Sequence, residues 1–299
     1  MVLEDKFSGA LLGFSVGDVV GSPYEGLSAF DIKDKWKIGE GSITDDTELM
    51  LSTSESLIEC GCIDPVDMAR RLVDSFDEGK LKRIGSRVKH AIENLKRGVL
   101  PAKSGAKGQW ASGSGGILRS VAVALFMFGC DEKKVKSGIR YTVMITHNNE
   151  DAIEGAYVFS KILHLLLRGE DVRRGIERVV EGIRSVRLKE EIKRRLALLE
   201  TASELVDVLP GIGVKSDVYS VLGNAICCFL RHYTSFEDSI RCSILIGGDT
   251  DTTAAVVGAF WGALNGASKI PLEYKVVLGD LEERIIQIAT SLYKRRMCR

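Results

Sequence analysis

Apolar side chains recur at helical spacing along almost the whole chain, and period-two alternation over five or more residues is hard to find. In residues 187–206, Leu188, Ile192, Leu196 and Leu199 make one face, while Glu190 with Arg194 and Glu191 with Arg195 are i,i+4 ion pairs on another. That pattern predicts a helix with a solvated side. Asp64-Pro65 predicts a helix start, because aspartate accepts from free N-terminal amides and proline's fixed φ suits the first helical position. Similar stretches at 4–17, 47–59, 82–97, 115–128, 132–144, 149–168, 171–184, 216–231, 236–245, 251–265 and 280–296 give about a dozen helices in all. Only Trp36 to Ile43 offers strand-like material, and it is short.

No composition shift, Pro-rich linker or repeat divides residues 1–299, so the expected architecture is one all-α domain, compact and multi-helical with orthogonal packing. Its expected centre is the helix 251–265, where Ala254, Gly258, Gly262 and then Gly266 recur every four residues. Each glycine inside a helix costs about 1 kcal/mol relative to alanine, so the stripe predicts close backbone approach by a neighbouring helix. The longest irregular stretch, 98–114, carries Gly98, Gly105, Gly108 and Gly113 with Lys103 and Lys107, and a loop of that length in a compact domain is more often functional than idle.

Composition narrows the partners. The 299 residues hold 41 Lys+Arg against 41 Asp+Glu, without the basic excess of a nucleic-acid or anionic-membrane binder. No window reaches the ~18 to 20 uncharged apolar residues of a membrane span, and Glu4 and Asp5 stand where a secretory signal needs basic residues. Neither nucleic acid nor membrane is an expected partner. Seven cysteines (Cys60, Cys62, Cys130, Cys227, Cys228, Cys242, Cys298), odd in number and without paired CxxC spacing, predict a reducing cytoplasm.

Two short runs carry the most chemistry: Ser42-Ile43-Thr44-Asp45-Asp46-Thr47 and Gly247-Gly248-Asp249-Thr250-Asp251-Thr252, each just before an apolar helix. Helix capping is one explanation, since Asp and Thr accept from free amides and acids suit the positive helix end. A cap needs one oxygen, and each run supplies two carboxylates plus hydroxyls. Such hard oxygen ligands suit Mg²⁺, Mn²⁺ or Ca²⁺. If the two helix starts converge, Asp45, Asp46, Asp249 and Asp251 bring four negative charges together, which two divalent cations would balance.

With these runs in view the chain resembles the ADP-ribosylglycohydrolase family, which includes dinitrogenase reductase-activating glycohydrolases and eukaryotic ADP-ribosyl-acceptor hydrolases. The resemblance runs in order through GALLGFSVGDVVGSPYEG at 9–26, TDDT at 44–47, GSGGILR at 113–119, THNNEDA at 146–152 and GGDTDTTAAVVGAFWGALNG at 247–266. It implies an all-α fold with a binuclear Mg²⁺ or Mn²⁺ centre. The implied reaction is hydrolysis of the N- or O-glycosidic bond between ADP-ribose and an acceptor, on an ADP-ribosylated protein or a small ADP-ribose conjugate. By motif position, Thr44, Asp45, Asp46, Asp249, Asp251 and Thr252 match metal ligands, and Glu25 matches an acidic residue on a loop over the metal site. Gly113, Ser114, Gly115 and Gly116 match the phosphate and ribose loop, where side-chain-free amides at a helix start approach a diphosphate closely. His147 matches a histidine near the ligand, and Arg119 is expected to tie the loop down.

Departures from the family pattern are Ser114 in place of the usual Asn, Leu118 in place of Met, and no Pro shortly after Arg119. Arg83 and Val88 stand where arginine-specific members often carry Asp and Thr. The expected mechanism activates a water against an oxocarbenium-like transition state, with Glu25 or Asp46 as general base. The competing expectation is a non-catalytic, metal-stabilised ADP-ribose binder or structural relative, which would tend to lose acidic motif residues. A helical metal phosphohydrolase normally uses His-Asp pairs, and none of His90, His147, His164 and His232 is followed by Asp.

Overall fold

Glycine-on-glycine contact sets the centre of the molecule. The computed structural model, which describes residues 2–33, 35–39 and 41–298, lays the helix Leu3–Gly21 antiparallel against the helix Thr250–Asn265. Gly9 faces Gly262, Gly13 faces Gly258, Gly17 faces Ala254 and Gly21 faces Asp251. A Cβ built on Gly13 would stand 2.1 Å from the Gly258 carbonyl oxygen, and one on Gly258 1.9 Å from that of Gly13. The expected neighbour of the 254–266 stripe is therefore a second glycine stripe with the same four-residue spacing.

These two helices are buried almost all round, from Lys6 to Gly21 and from Thr250 to Ala263. Lys6 is accommodated because its ammonium donates to the Leu166 and Leu167 carbonyls at 2.9 and 3.1 Å, at the negative end of the helix Glu150–Arg168. Around the central pair, Asp45–Cys60 packs on Gly115–Phe126, which packs on Glu150–Arg168. Leu281–Arg295 covers Leu3–Gly21 from another side, and Val218–His232 with Phe236–Leu245 covers Thr250–Asn265. One continuous apolar core results.

Each expected helix is present. Among the described residues there is no strand, only isolated bridges at Ser28–Gly247, Ala106–His147 and Gly113–Asp217, and residues 35–39 form a turn and a bend. The 98–114 stretch contains the short helix Pro101–Ser104 and a 3-10 turn at Gln109–Ala111. Two expectations need correction. The 187–206 helix ends at Leu196, with Leu198–Thr201 as a separate turn, and Arg195 is 1% exposed rather than solvated. Its guanidinium pairs with Glu191 at 2.7 Å, yet it also donates to Asn224 Oδ1 at 2.9 Å beneath Val218–His232, where Gly223 leaves room for it.

Cysteine pairing is the second correction. Cys130 and Cys298 form a disulfide, because the C-terminal residues fold back and the Met297 amide donates to the Phe126 carbonyl at 2.8 Å. A separation of 168 residues left no trace of it in the local spacing. The other five cysteines are free thiols. Among the described residues no helix is long and apolar enough to cross a membrane.

Candidate active site

The starts of Asp45–Cys60, Gly115–Phe126 and Thr250–Asn265 open onto one cleft with a cavity volume of about 140 Å³. Glu25, Asp45, Asp46, Ser114, Gly115, His147, Asp249, Asp251 and Thr252 all line it. Thr252 Oγ1 donates to Asp46 Oδ2 at 2.8 Å, so the two acidic runs meet across 206 positions of sequence.

Capping does not explain the aspartates. At Asp45–Cys60 the cap is Thr44, whose Oγ1 accepts from the Asp46 amide at 3.1 Å and donates to Asp18 Oδ1 at 2.7 Å. Asp18, fully buried, also accepts from the Thr44 amide at 3.0 Å, the Thr47 amide at 3.3 Å and the Thr47 hydroxyl at 2.5 Å. Its carboxylate thus anchors the first run and leaves the Asp45 and Asp46 side chains to line the cleft. At Thr250–Asn265, Asp249 occupies the cap position without a capping side-chain bond. Thr44 is not among the residues lining the cleft.

The Gly247-Gly248 turn aims the second run. Both residues have φ near the left-handed value, +77° and +78°, and a Cβ on Gly248 would lie 2.0 Å from the Val214 carbonyl oxygen. The Gly26 amide donates to the Gly248 carbonyl at 2.8 Å and the Gly248 amide to the Leu27 carbonyl at 2.9 Å. These bonds hold the loop bearing Glu25 beside Asp249.

Burial and mutual repulsion dominate the electrostatics. Burial first, then the negative charges of Asp18, Glu25 and Asp249, push Asp45 up to about 7. Asp46 and Asp251 are held well above the ordinary carboxylate range by burial and then by neighbouring aspartates, Asp251 for the former and Asp249 for the latter. Asp249 is raised by burial too, against donation from Thr252. Glu25, 42% exposed, is raised by desolvation and Asp249, while Arg83, 3.8 Å away, opposes the shift. Among the described residues no three His, Cys, Asp or Glu side chains are already gathered to hold an ion. The donor set nevertheless fits a hard divalent cation: buried carboxylate and hydroxyl oxygens whose mutual repulsion a cation would relieve.

Arg119 is buried and donates to the Thr142 carbonyl at 3.1 Å and to Thr146 Oγ1 at 2.5 Å. Thr146 Oγ1 also lies 2.8 Å from His147 Nδ1, and giving its proton there corresponds to the tautomer with the ring hydrogen on Nε2. Burial, then Arg119 and Arg87, push this imidazole down to about 3, so it is a neutral donor. Its ring lies against Gly115, where a Cβ would come within 2.8 Å of Cε1. Arg119 thus ties the helix Gly115–Phe126 to the Thr142–Thr146 segment, and these bonds do not involve residues 113–116.

The four-residue loop divides in two. Ser114 and Gly115 line the cleft, with Ser114 Oγ 3.3 Å from Asp249 Oδ2, and the start of Gly115–Phe126 has no side-chain cap. Gly113 lies under the Arg87 guanidinium and Gly116 packs on Val143. Sequence reasoning missed Asp18, whose buried position inside an apolar helix was its signal, and the cleft residues Arg87 and Ser216.

Fold and cleft together define an all-α protein with an acidic cleft at the starts of three helices. The family model for ADP-ribosylglycohydrolase matches residues 1–299, and the chain belongs to that family. It is 27% identical to a Danio rerio protein named ADP-ribosylhydrolase ARH3, over 95% of this chain and 89% of that one. It is 24% identical to a Pseudomonas putida protein named ADP-ribosylarginine hydrolase Tri1, over 97% of this chain and 78% of that one. A solved structure from an ADP-ribosylglycohydrolase-related protein complex superposes with TM-score 0.79 at 26% identity, covering 99% of each chain.

Proposed function

We propose that this enzyme hydrolyses the glycosidic bond between the anomeric carbon of ADP-ribose and an acceptor on a protein side chain or small conjugate, with two Mg²⁺ or Mn²⁺ ions. The observation that supports this reading is the contact between Thr252 and Asp46, which unites the two acidic runs. Asp45, Asp46, Asp249, Asp251 and Thr252 would hold the ions, with Thr44 contributing through its remaining lone pair. Bound there, divalent ions supply the positive charge that lowers the pKa of water and orients ribose hydroxyls.

The chain's own groups do the rest. Glu25 faces the cleft from a pinned loop and takes the proton from the attacking water as the bond to the acceptor opens; Asp46 is the alternative base. The amides of Ser114 and Gly115 meet the diphosphate at an uncapped helix start, and His147 Nε2–H donates to a ligand oxygen. Gly113 and Gly116 belong to the same proposed phosphate and ribose loop.

The test is incubation with Mg²⁺ or Mn²⁺ and ADP-ribosylated protein, O-acetyl-ADP-ribose or poly(ADP-ribose), scoring released ADP-ribose. Release that a chelator abolishes, together with loss of bound metal in Asp249→Ala by elemental analysis, is expected. Full metal stoichiometry in that variant would refute the ligand assignment. A cytoplasmic location belongs to the same proposal. It rests on the five free thiols, two of them exposed.

A further inference from the structure

Away from the cleft, the helices Val218–His232 and Phe236–Leu245 bring two thiols together. The sulfurs of Cys228 and Cys242 lie 2.7 Å apart, with both residues in the core. Cys242 also lines a second cavity, of about 530 Å³, together with His232, Asp238 and Arg241. Cys242, 4% exposed, is the member of the pair that borders this cavity.

The neighbourhood divides the roles between the two. The hydrogen bond that Cys228 donates, against burial and with smaller help from His232 and Arg231, holds Cys242 down to about 7. Cys228 is held protonated by burial and by that same donation. Cys227, adjacent in sequence, has neither a sulfur in contact nor a place in the cavity wall, and burial pushes it up to about 12. A reachable thiolate backed by a protonated second thiol is the arrangement that oxidation chemistry needs.

We propose that Cys242 and Cys228 form a peroxide-reactive dithiol, a modification site separate from the hydrolase cleft. The Cys242 thiolate attacks one oxygen of a hydroperoxide such as hydrogen peroxide; the O–O bond breaks, and the departing hydroxide takes up a proton and leaves as water. Cys242 is then a sulfenic acid. The Cys228 sulfur gives up its proton and attacks the Cys242 sulfur; the S–O bond breaks, a second water leaves, and a disulfide remains. Two thiols have lost two electrons, and the peroxide has been reduced to water.

The full-length protein is treated with hydrogen peroxide after mild reduction, quenched by alkylation, and mapped by mass spectrometry without further reductant. A linked Cys228–Cys242 peptide should appear at a rate at least about tenfold above any oxidation of Cys227. Cys228→Ser should leave a Cys242 sulfenic acid that dimedone traps, and Cys242→Ser should leave Cys228 alkylatable. Thermal melts and ADP-ribose release confirm that each variant is folded. Oxidation of the exposed Cys60 and Cys62 with Cys242 left as free thiol would overturn the proposal, and so would undiminished oxidation of Cys228 in Cys242→Ser.

Discussion

Replacing Gly258 by alanine sets two known effects against each other at one position. Helix propensity alone favours alanine by about 1 kcal/mol. Against it stands the added Cβ, 1.9 Å from the Gly13 carbonyl oxygen and 2.5 Å from the carbonyl carbon, both backbone atoms that cannot rotate away. Restoring an ordinary contact of 3.4 Å asks the two central helices to part by about 1.5 Å, on a 6–12 potential where a 0.5–1 Å gap already forfeits a quarter to a half of each contact. Overpacking of that kind costs ~3 kcal/mol, so Gly258→Ala should destabilise by about 2 kcal/mol net. Urea unfolding followed by circular dichroism measures it as a lower midpoint at unchanged slope. Gly211→Ala is the matched control, because its Cβ would meet nothing within 4 Å inside the helix Leu205–Ile212, and there stability should rise by up to ~1 kcal/mol. Equal stabilisation at Gly258 and Gly211 would refute the contact argument.

Three further outcomes concern the cleft. Glu25→Gln should lower kcat by ~10²-fold or more while ADP-ribose binding by calorimetry stays within about threefold, and unchanged turnover would remove Glu25 as the base. Mg²⁺ or Mn²⁺ at 100 times its dissociation constant should stabilise the folded protein by ~2.7 kcal/mol, read as a higher melting temperature, and a shift preserved when Asp46 and Asp251 are both changed to Asn would place the ions elsewhere. Arg83 lines the cleft beside Glu25 with its own backbone at φ 60, the only non-glycine at positive φ among the described residues. Its charge should repel a guanidinium acceptor, so Arg83→Glu should raise kcat/KM for ADP-ribosyl-arginine relative to an O-linked substrate by about tenfold, and an unchanged ratio would count against it.

The helices were legible because most of them bury one face, and a 3.6-residue period survives without knowledge of the partner. Arg195 shows where that ends: an i,i+4 pair with Glu191 has the same spacing in water and under Val218–His232, so the pattern carried the bond and not the burial. The acidic runs announced their chemistry through surplus oxygens, whereas the split within 113–116 depended on where Arg87 and Val143 come to rest. Convergence of the runs was the step that residue spacing left conditional. Its cause is nonetheless a spacing: Gly9, Gly13, Gly17 and Gly21 repeat with the period of Ala254, Gly258 and Gly262, and the antiparallel register that seats them also sets Gly21 against Asp251. A slip of one four-residue repeat would move the helices by about 6 Å along their axes. Asp18, which holds Thr44 and Thr47, would then carry the first run away from Asp249 and Asp251. Stability and catalysis thus share one constraint, and the glycines, which do not line the cleft, determine whether the carboxylates form a site at all.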